Sequence, residues 1–128
     1  MDDIIEQTEQ LKKYVTGLKD RYKTSSPPEN RKDRQLFLRV KEETAPIYQL
    51  LESWEASALK LVKKRKINVH PQQVSSTSEN MEMFIMHSYY IDVKEKRFME
   101  LHNSIIYIFD QLLREIERHQ FEPGGDNL

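Results

Sequence analysis

The sequence predicts an all-α protein, an antiparallel up-and-down four-helix bundle whose helix 2 is long and kinked or broken near Pro46. Three observations predict it. Apolar residues recur at spacings of three and four in successive segments of the chain, the period of a helix with one buried face. Glycine is scarce: Gly17, Gly124 and Gly125 are the only three in 128 residues, so the positive-φ positions that tight hairpins need are almost missing. The connections between apolar segments are short, which sets consecutive helices antiparallel.

Helix 1 is expected from Asp3 to about Tyr22, with Asp3 and Glu6 as a capping box. Its stripe is Ile4, Thr8, Leu11, Val15, Leu18 and Tyr22. A narrow stripe that includes a threonine suggests a peripheral helix. Ser25-Ser26-Pro27-Pro28 breaks the chain. Helix 2 follows from about Asn30 to Lys66, with a stripe of Phe37, Val40, Thr44, Ile47, Leu51, Trp54, Ala58 and Leu61. Pro46 removes a backbone donor inside this pattern. The stripe keeps phase across it, which favours one kinked helix over two.

Ile67 to Val69 is a short connection, and His70-Pro71 opens helix 3. Proline suits the first helical position, and Gln73 can reach back to the cap. Val74, Thr77, Met81, Phe84, Ile85 and Ser88 line the inner face, and Tyr89 to Asp92 closes the helix. Asp92 with Glu95 is the expected capping box of helix 4, which runs from about Val93 to His119. Phe98, Leu101, Ile105, Ile108, Leu112 and Ile116 form its stripe, broadened by Ile106, Phe109 and Leu113. A face this broad touches several neighbours, so helix 4 is expected at the centre. The division is one domain over 1–120 and a flexible polar tail over 121–128, FEPGGDNL.

Composition excludes several functions. With no cysteine, disulfides, thiolate zinc sites and cysteine nucleophiles are absent. The lack of interior glycine excludes phosphate-cradling glycine loops. The longest apolar run, Ile105 to Phe109, is far short of the roughly 20 residues of a membrane span. The start, MDDIIEQTEQ, is acidic and lacks the features of a signal peptide. A net charge of −1 exerts no global pull on polyanions.

Trp54, the run Ala58-Leu59-Lys60-Leu61-Val62-Lys63, Val69-His70-x-x-Gln73-Val74, Ser88-Tyr89, Glu95-Lys96-Arg97-Phe98 and Ser104-Ile105-x-Tyr107 follow one another in an order and spacing that resembles the YppE-like family of uncharacterised proteins from bacilli and related Gram-positive bacteria. The resemblance covers Trp54 to Phe109. Members typically carry a proline and an aromatic just before the His70 position. Lys66 and Asn68 stand there in this chain, so the turn before helix 3 is expected to differ in detail. The resemblance implies a cytoplasmic four-helix bundle. No activity is established for the family, so it carries over no catalytic residues.

Several constellations of residues bear on chemistry. Lys63-Lys64-Arg65-Lys66 and Lys94, Lys96, Arg97 look like one nucleic-acid footprint. A helix of about 19 residues, roughly 28 Å long, separates them and places them at opposite ends of the bundle. Lysines at a helix C-terminus also complement the macrodipole without any partner. At the other end, Lys19, Arg21, Lys23, Arg31, Lys32, Arg34, Lys94, Lys96 and Arg97 are expected to gather, diluted by Asp20, Glu29, Asp33, Asp92 and Glu95. No Glu-x-x-His pair exists for a dimetal site, and Glu115 with His119 is a single pair near a helix end. Ser75, Ser76, Thr77 and Ser78 lack the strand-turn-helix elbow of a nucleophile. Met81, Met83, Met86 and Met99 are mainly core packing, and an adaptable partner surface is the lesser reading.

The reading is a cytoplasmic helical bundle, not an enzyme, that binds another protein or a second copy of itself, with no catalytic, cofactor-binding or metal-ligating residues and no membrane partner. Its candidate interaction surface is Arg21, Tyr22, Tyr90, Lys94 and Arg97, where three helix ends converge. Tyrosine and arginine together are favoured at interfaces. Weak binding of nucleic acid or another polyanion through the same basic end is the alternative.

Overall fold

The computed structural model describes residues 2–65 and 67–121. Four helices fill them: α1 (Asp2–Thr24), α2 (Arg34–Arg65), α3 (Pro71–Tyr90) and α4 (Glu95–Phe121). Cross-chain bonds show how they run. At one end the start of α1 meets the second half of α2, through Trp54 Nε1 donating to Thr8 Oγ1 at 2.9 Å. At the other end the last turn of α1 meets the start of α4, where Tyr22 and Phe98 stack with ring centroids 3.9 Å apart. The helices alternate in direction, as an up-and-down bundle requires.

α1 and α3 each pack against all three other helices, whereas the backbones of α2 and α4 lie apart, across a diagonal of the bundle, among the described residues. α1 is therefore not peripheral, and α4 is not the central helix that its broad face suggested. The inner face of α3 carries Thr77, Ser78 and Ser88 between its larger residues, all buried. Small side chains let α1 come close along that diagonal. The longer diagonal is filled by bulk: Trp54 of α2 meets Phe109 of α4 edge to face at 5.2 Å. Trp54, Phe84, Phe98 and Phe109 are the largest fully buried side chains.

α3 starts as its sequence demands. His70 is the N-cap, Pro71 follows at N1, and the His70 backbone N–H donates to Gln73 Oε1 at 2.8 Å. α2 starts later than expected. Asn30 forms a local turn, accepting from the Lys32 N–H at 3.0 Å, and Asp33 is the cap, accepting from the Gln35 N–H at 3.0 Å. The helix then runs unbroken through Pro46. The carbonyl of Glu42, which loses its helical donor there, lies one turn before an exposed proline, so water can satisfy it.

The α2 stripe begins one residue earlier than the spacing suggested. Leu36 is buried and Phe37 is 56% exposed. At the far end Val62 is buried and Leu61 only half-buried. α1 begins at Asp2, so Asp3 lies inside the helix and is not its cap. α4 begins at Glu95, with the Phe98 N–H donating to the Lys94 carbonyl at 3.1 Å. The expected Asp92–Glu95 capping box does not form, because both Asp92 oxygens are engaged elsewhere. His87 Nδ1 lies 2.7 Å from one, and Arg31 donates to the other at 2.9 Å. Ile91 closes α3 in the left-handed region, φ 49°, a costly conformation for a β-branched residue. The tail expected over 121–128 lies outside the described residues, apart from Phe121, whose backbone is helical.

The α2–α3 connection is clamped from α4. Asn68 N–H donates to Glu115 Oε1 at 2.8 Å, and Gln111 Nε2 donates to the Asn68 carbonyl. Arg118 also donates to Glu115 Oε1 at 2.8 Å. The Asn68 N–H holds the Glu115 carboxyl below its ordinary range, against burial, which opposes it, and Arg118 and Arg114 lower it further. Glu115 is thus a loop anchor and not half of a Glu115–His119 metal pair.

Candidate interaction surface

The five candidate residues lie on α1, α3 and the start of α4, at the bundle end where α1 and α3 finish and α2 and α4 begin. They divide into two groups. Arg21 and Tyr22 are half-buried and hold the end together. The Tyr22 hydroxyl donates to the Val93 carbonyl at 2.6 Å, and its ring stacks on Phe98, which in turn stacks on Phe84 at 4.4 Å. Burial, followed by the charges of Glu95 and Asp92, pushes the Tyr22 phenol above its usual range. The Arg21 guanidinium sits over the Tyr89 ring, 4.0 Å from its centroid, while its Nε is buried without a partner. The Tyr89 hydroxyl donates to Glu43 Oε1 at 3.1 Å. Tyr22 and Met99 both pack against the core and do not form an exposed patch with the tyrosines that end α3.

Tyr90, Lys94 and Arg97 form the outer group. Tyr90 is half-buried, and Lys94 and Arg97 are exposed. Several of the surrounding cations are already neutralised. Arg31 pairs with Asp92, and Lys23 lies 3.7 Å from Glu95. The cations of α4's first turn sit at the positive end of a helix dipole, so packing within the chain gives them no return. The second basic cluster lies at the far end: α3 is 20 residues long, about 30 Å. The Arg65 side chain and Lys66 lie outside the described residues.

The structure adds a feature absent from the candidate set. Phe37 and Leu38 are 56% and 48% exposed. The Glu43–Tyr89 bond places α2 residue 43 near the end of α3. Residues 34–42 therefore overhang α3 by about 13 Å. Leu36 and Val40 turn inward on this overhang, which leaves the adjacent Phe37 and Leu38 outside. The sequence held a signal for this: Leu36-Phe37-Leu38 is three consecutive apolar residues, and one helix face cannot take all three.

The other constellations are occupied with structure. Thr77 donates to the Gln73 carbonyl at 2.7 Å, and Ser78 donates to Glu55 at 2.9 Å across to α2. Met81 is fully buried, Met99 packs on the core, Met86 is half-buried, and Met83 is exposed. Among the described residues, no group of three or more His, Asp or Glu side chains is arranged to hold a metal ion. No helix among them is long and apolar enough to cross a membrane.

Comparison with known proteins agrees with this architecture. The bacterial domain of unknown function DUF1798 matches residues 8–116. The uncharacterized protein YppE of Bacillus subtilis (strain 168) is 27% identical over 116 residues, covering 90% of this chain and 93% of YppE. The YppE crystal structure superposes with a TM-score of 0.76 at 25% identity, covering 93% of this chain and 96% of that one. Its solution NMR structure gives 0.73 at 25% identity, over 95% and 98% of the two chains.

Proposed function

We propose that this chain, which belongs to the DUF1798 family of bacterial proteins, is a non-catalytic, cytoplasmic interaction module that binds through the end where α2 and α4 begin. The observation that carries the reading is the overhang of α2, which leaves Phe37 and Leu38 uncovered at the same end of the bundle as the exposed cations of α4's first turn. Large exposed apolar side chains sharing one end of the bundle with arginine and tyrosine are the composition of a protein interface. Tyr90, Lys94 and Arg97 supply its contact groups. Arg21 and Tyr22 support them from beneath.

The polyanion alternative has less behind it. Arg31 and Lys23 are committed to Asp92 and Glu95, and Asp20, Glu29 and Asp33 are interspersed among the other cations of this end, whereas phosphate recognition draws its affinity from the number of unopposed cations. A gel-shift titration at low and moderate salt tests it: no shift at low salt rules it out.

The interaction reading is tested by capture from cell lysate with wild type and with Tyr90→Ala/Arg97→Ala. The expected result is loss of wild-type partners from the double variant, with its helical circular dichroism retained. An unchanged set of captured proteins overturns it.

A further inference from the structure

The outward face of the α2 overhang is built to pair with itself. Opposite the buried Leu36 and Val40, one turn of the helical wheel after another presents Arg34, Phe37, Leu38, Lys41 and Glu42, all exposed. The apolar pair is flanked by a cation four residues before Leu38 and an anion four residues after it. Two copies of this segment laid antiparallel about a twofold axis at Leu38 set Arg34 of each copy opposite Glu42 of the other. Leu38 meets Leu38, with Phe37 beside it. Lys41 falls opposite the uncharged Gln35. Shifting the register by one residue sets Arg34 against Lys41 in one direction and, in the other, against Glu43, which already accepts from the Tyr89 hydroxyl, so the first register leaves the better charge pairs.

The overhang also permits this pairing sterically. Trp54 lies level with Thr8 across the α1–α2 interface. Counting along the antiparallel pair, α1's last residue, Thr24, falls near Leu38, so residues 34–37 lie beyond the end of α1 as well as of α3. With antiparallel overhangs, the rest of each bundle extends away from the other copy.

We propose that the protein self-associates as a weak, end-to-end symmetric dimer through Arg34, Phe37, Leu38 and Glu42. This rests on the interaction reading above and assigns the partner as a second copy of the chain. The face is isologous, as a twofold dimer requires. A single short helical segment buries less than the roughly 1,200 Å² of a stable complex, so association depends on concentration. Its ion pairs are at the rim of the contact and weaken with salt.

Sedimentation equilibrium at low ionic strength, from roughly ten micromolar to roughly one millimolar protein, tests the proposal. Wild type is expected to rise from the single-chain mass toward twice that mass. Arg34→Glu and Glu42→Arg are each expected to weaken the dimer about tenfold or more, and the double reversal to recover it to within about threefold. Both positions of change are exposed, and the helical circular dichroism signal is expected to match wild type. A single-chain mass across the whole range overturns the dimer, as does a double variant no better than either single. Neither outcome touches the lysate experiment on Tyr90 and Arg97, so the two readings fail separately.

Discussion

The indole N–H of Trp54 donates to Thr8 Oγ1 at 2.9 Å, with both side chains fully buried. The Thr8 hydroxyl donates onward to the Ile4 carbonyl at 2.7 Å. A threonine in an otherwise aliphatic stripe is thus a specific partner for the one tryptophan of the chain. Thr8→Val keeps the shape and removes the acceptor, leaving a buried N–H unpaired, which costs about 1–3 kcal/mol. In a Trp54→Phe background the same change has no orphan to create and is expected to cost clearly less. Denaturant unfolding of the four proteins checks it.

Tyr22 predicts the alkaline limb of stability. Its phenol is raised in the folded state by burial, with Glu95 and Asp92 adding to it, and Tyr89 is raised by burial and by Glu43. A group whose folded pKa lies above its unfolded value near 10 contributes stability below that value. The contribution is lost as pH rises through the folded pKa. Tyr22→Phe keeps the stack on Phe98 and removes the bond to Val93. It is expected to cost about 1 kcal/mol at neutral pH and to flatten the loss of melting temperature above pH 10.

Glu115 predicts the acid limb. Its carboxyl is lowered first by the Asn68 N–H, so it contributes stability above the unfolded carboxylate range and loses it as pH falls through the folded pKa. Glu115→Gln is expected to lower the melting temperature at pH 7 and to leave a shallower fall below about pH 4.5 than in wild type. An acid limb as steep as wild type's contradicts the clamp.

Gly17 is exposed inside α1, and a methyl group there meets no atom within 4 Å. Gly17→Ala is expected to stabilise the protein by about 0.5–1 kcal/mol, because alanine loses less backbone freedom in a helix interior. Thermal or urea unfolding reads it directly.

Legibility in the sequence followed the range of the interactions involved. The start of α3 was readable because His70, Pro71 and Gln73 settle it among themselves. The continuity of α2 was readable from a stripe that holds phase across Pro46. The start of α4 was not, because Asp92 answers to His87 and to Arg31, 61 residues away. Periodicity alone could not choose between Leu36 and Phe37 for the inner face, since the choice depends on where α1 and α3 end. Tyr22 stood both at the end of the α1 stripe and among the candidate surface residues, and only Phe98, stacked against it, decides for the first. The candidate end itself followed from counting helices. Its most exposed apolar residues emerged only once the unequal helix lengths left part of α2 uncovered.

The central claim, that two copies of the chain meet through the α2 overhang at the end where α2 and α4 begin, is tested most directly by residue-resolved amide NMR spectra of dilute and concentrated protein. The account predicts concentration-dependent shifts that are largest in Arg34 to Glu42, with smaller ones reaching Tyr90 to Arg97. Shifts centred on Asn68 at the opposite end, or spectra that do not change with concentration, would contradict it.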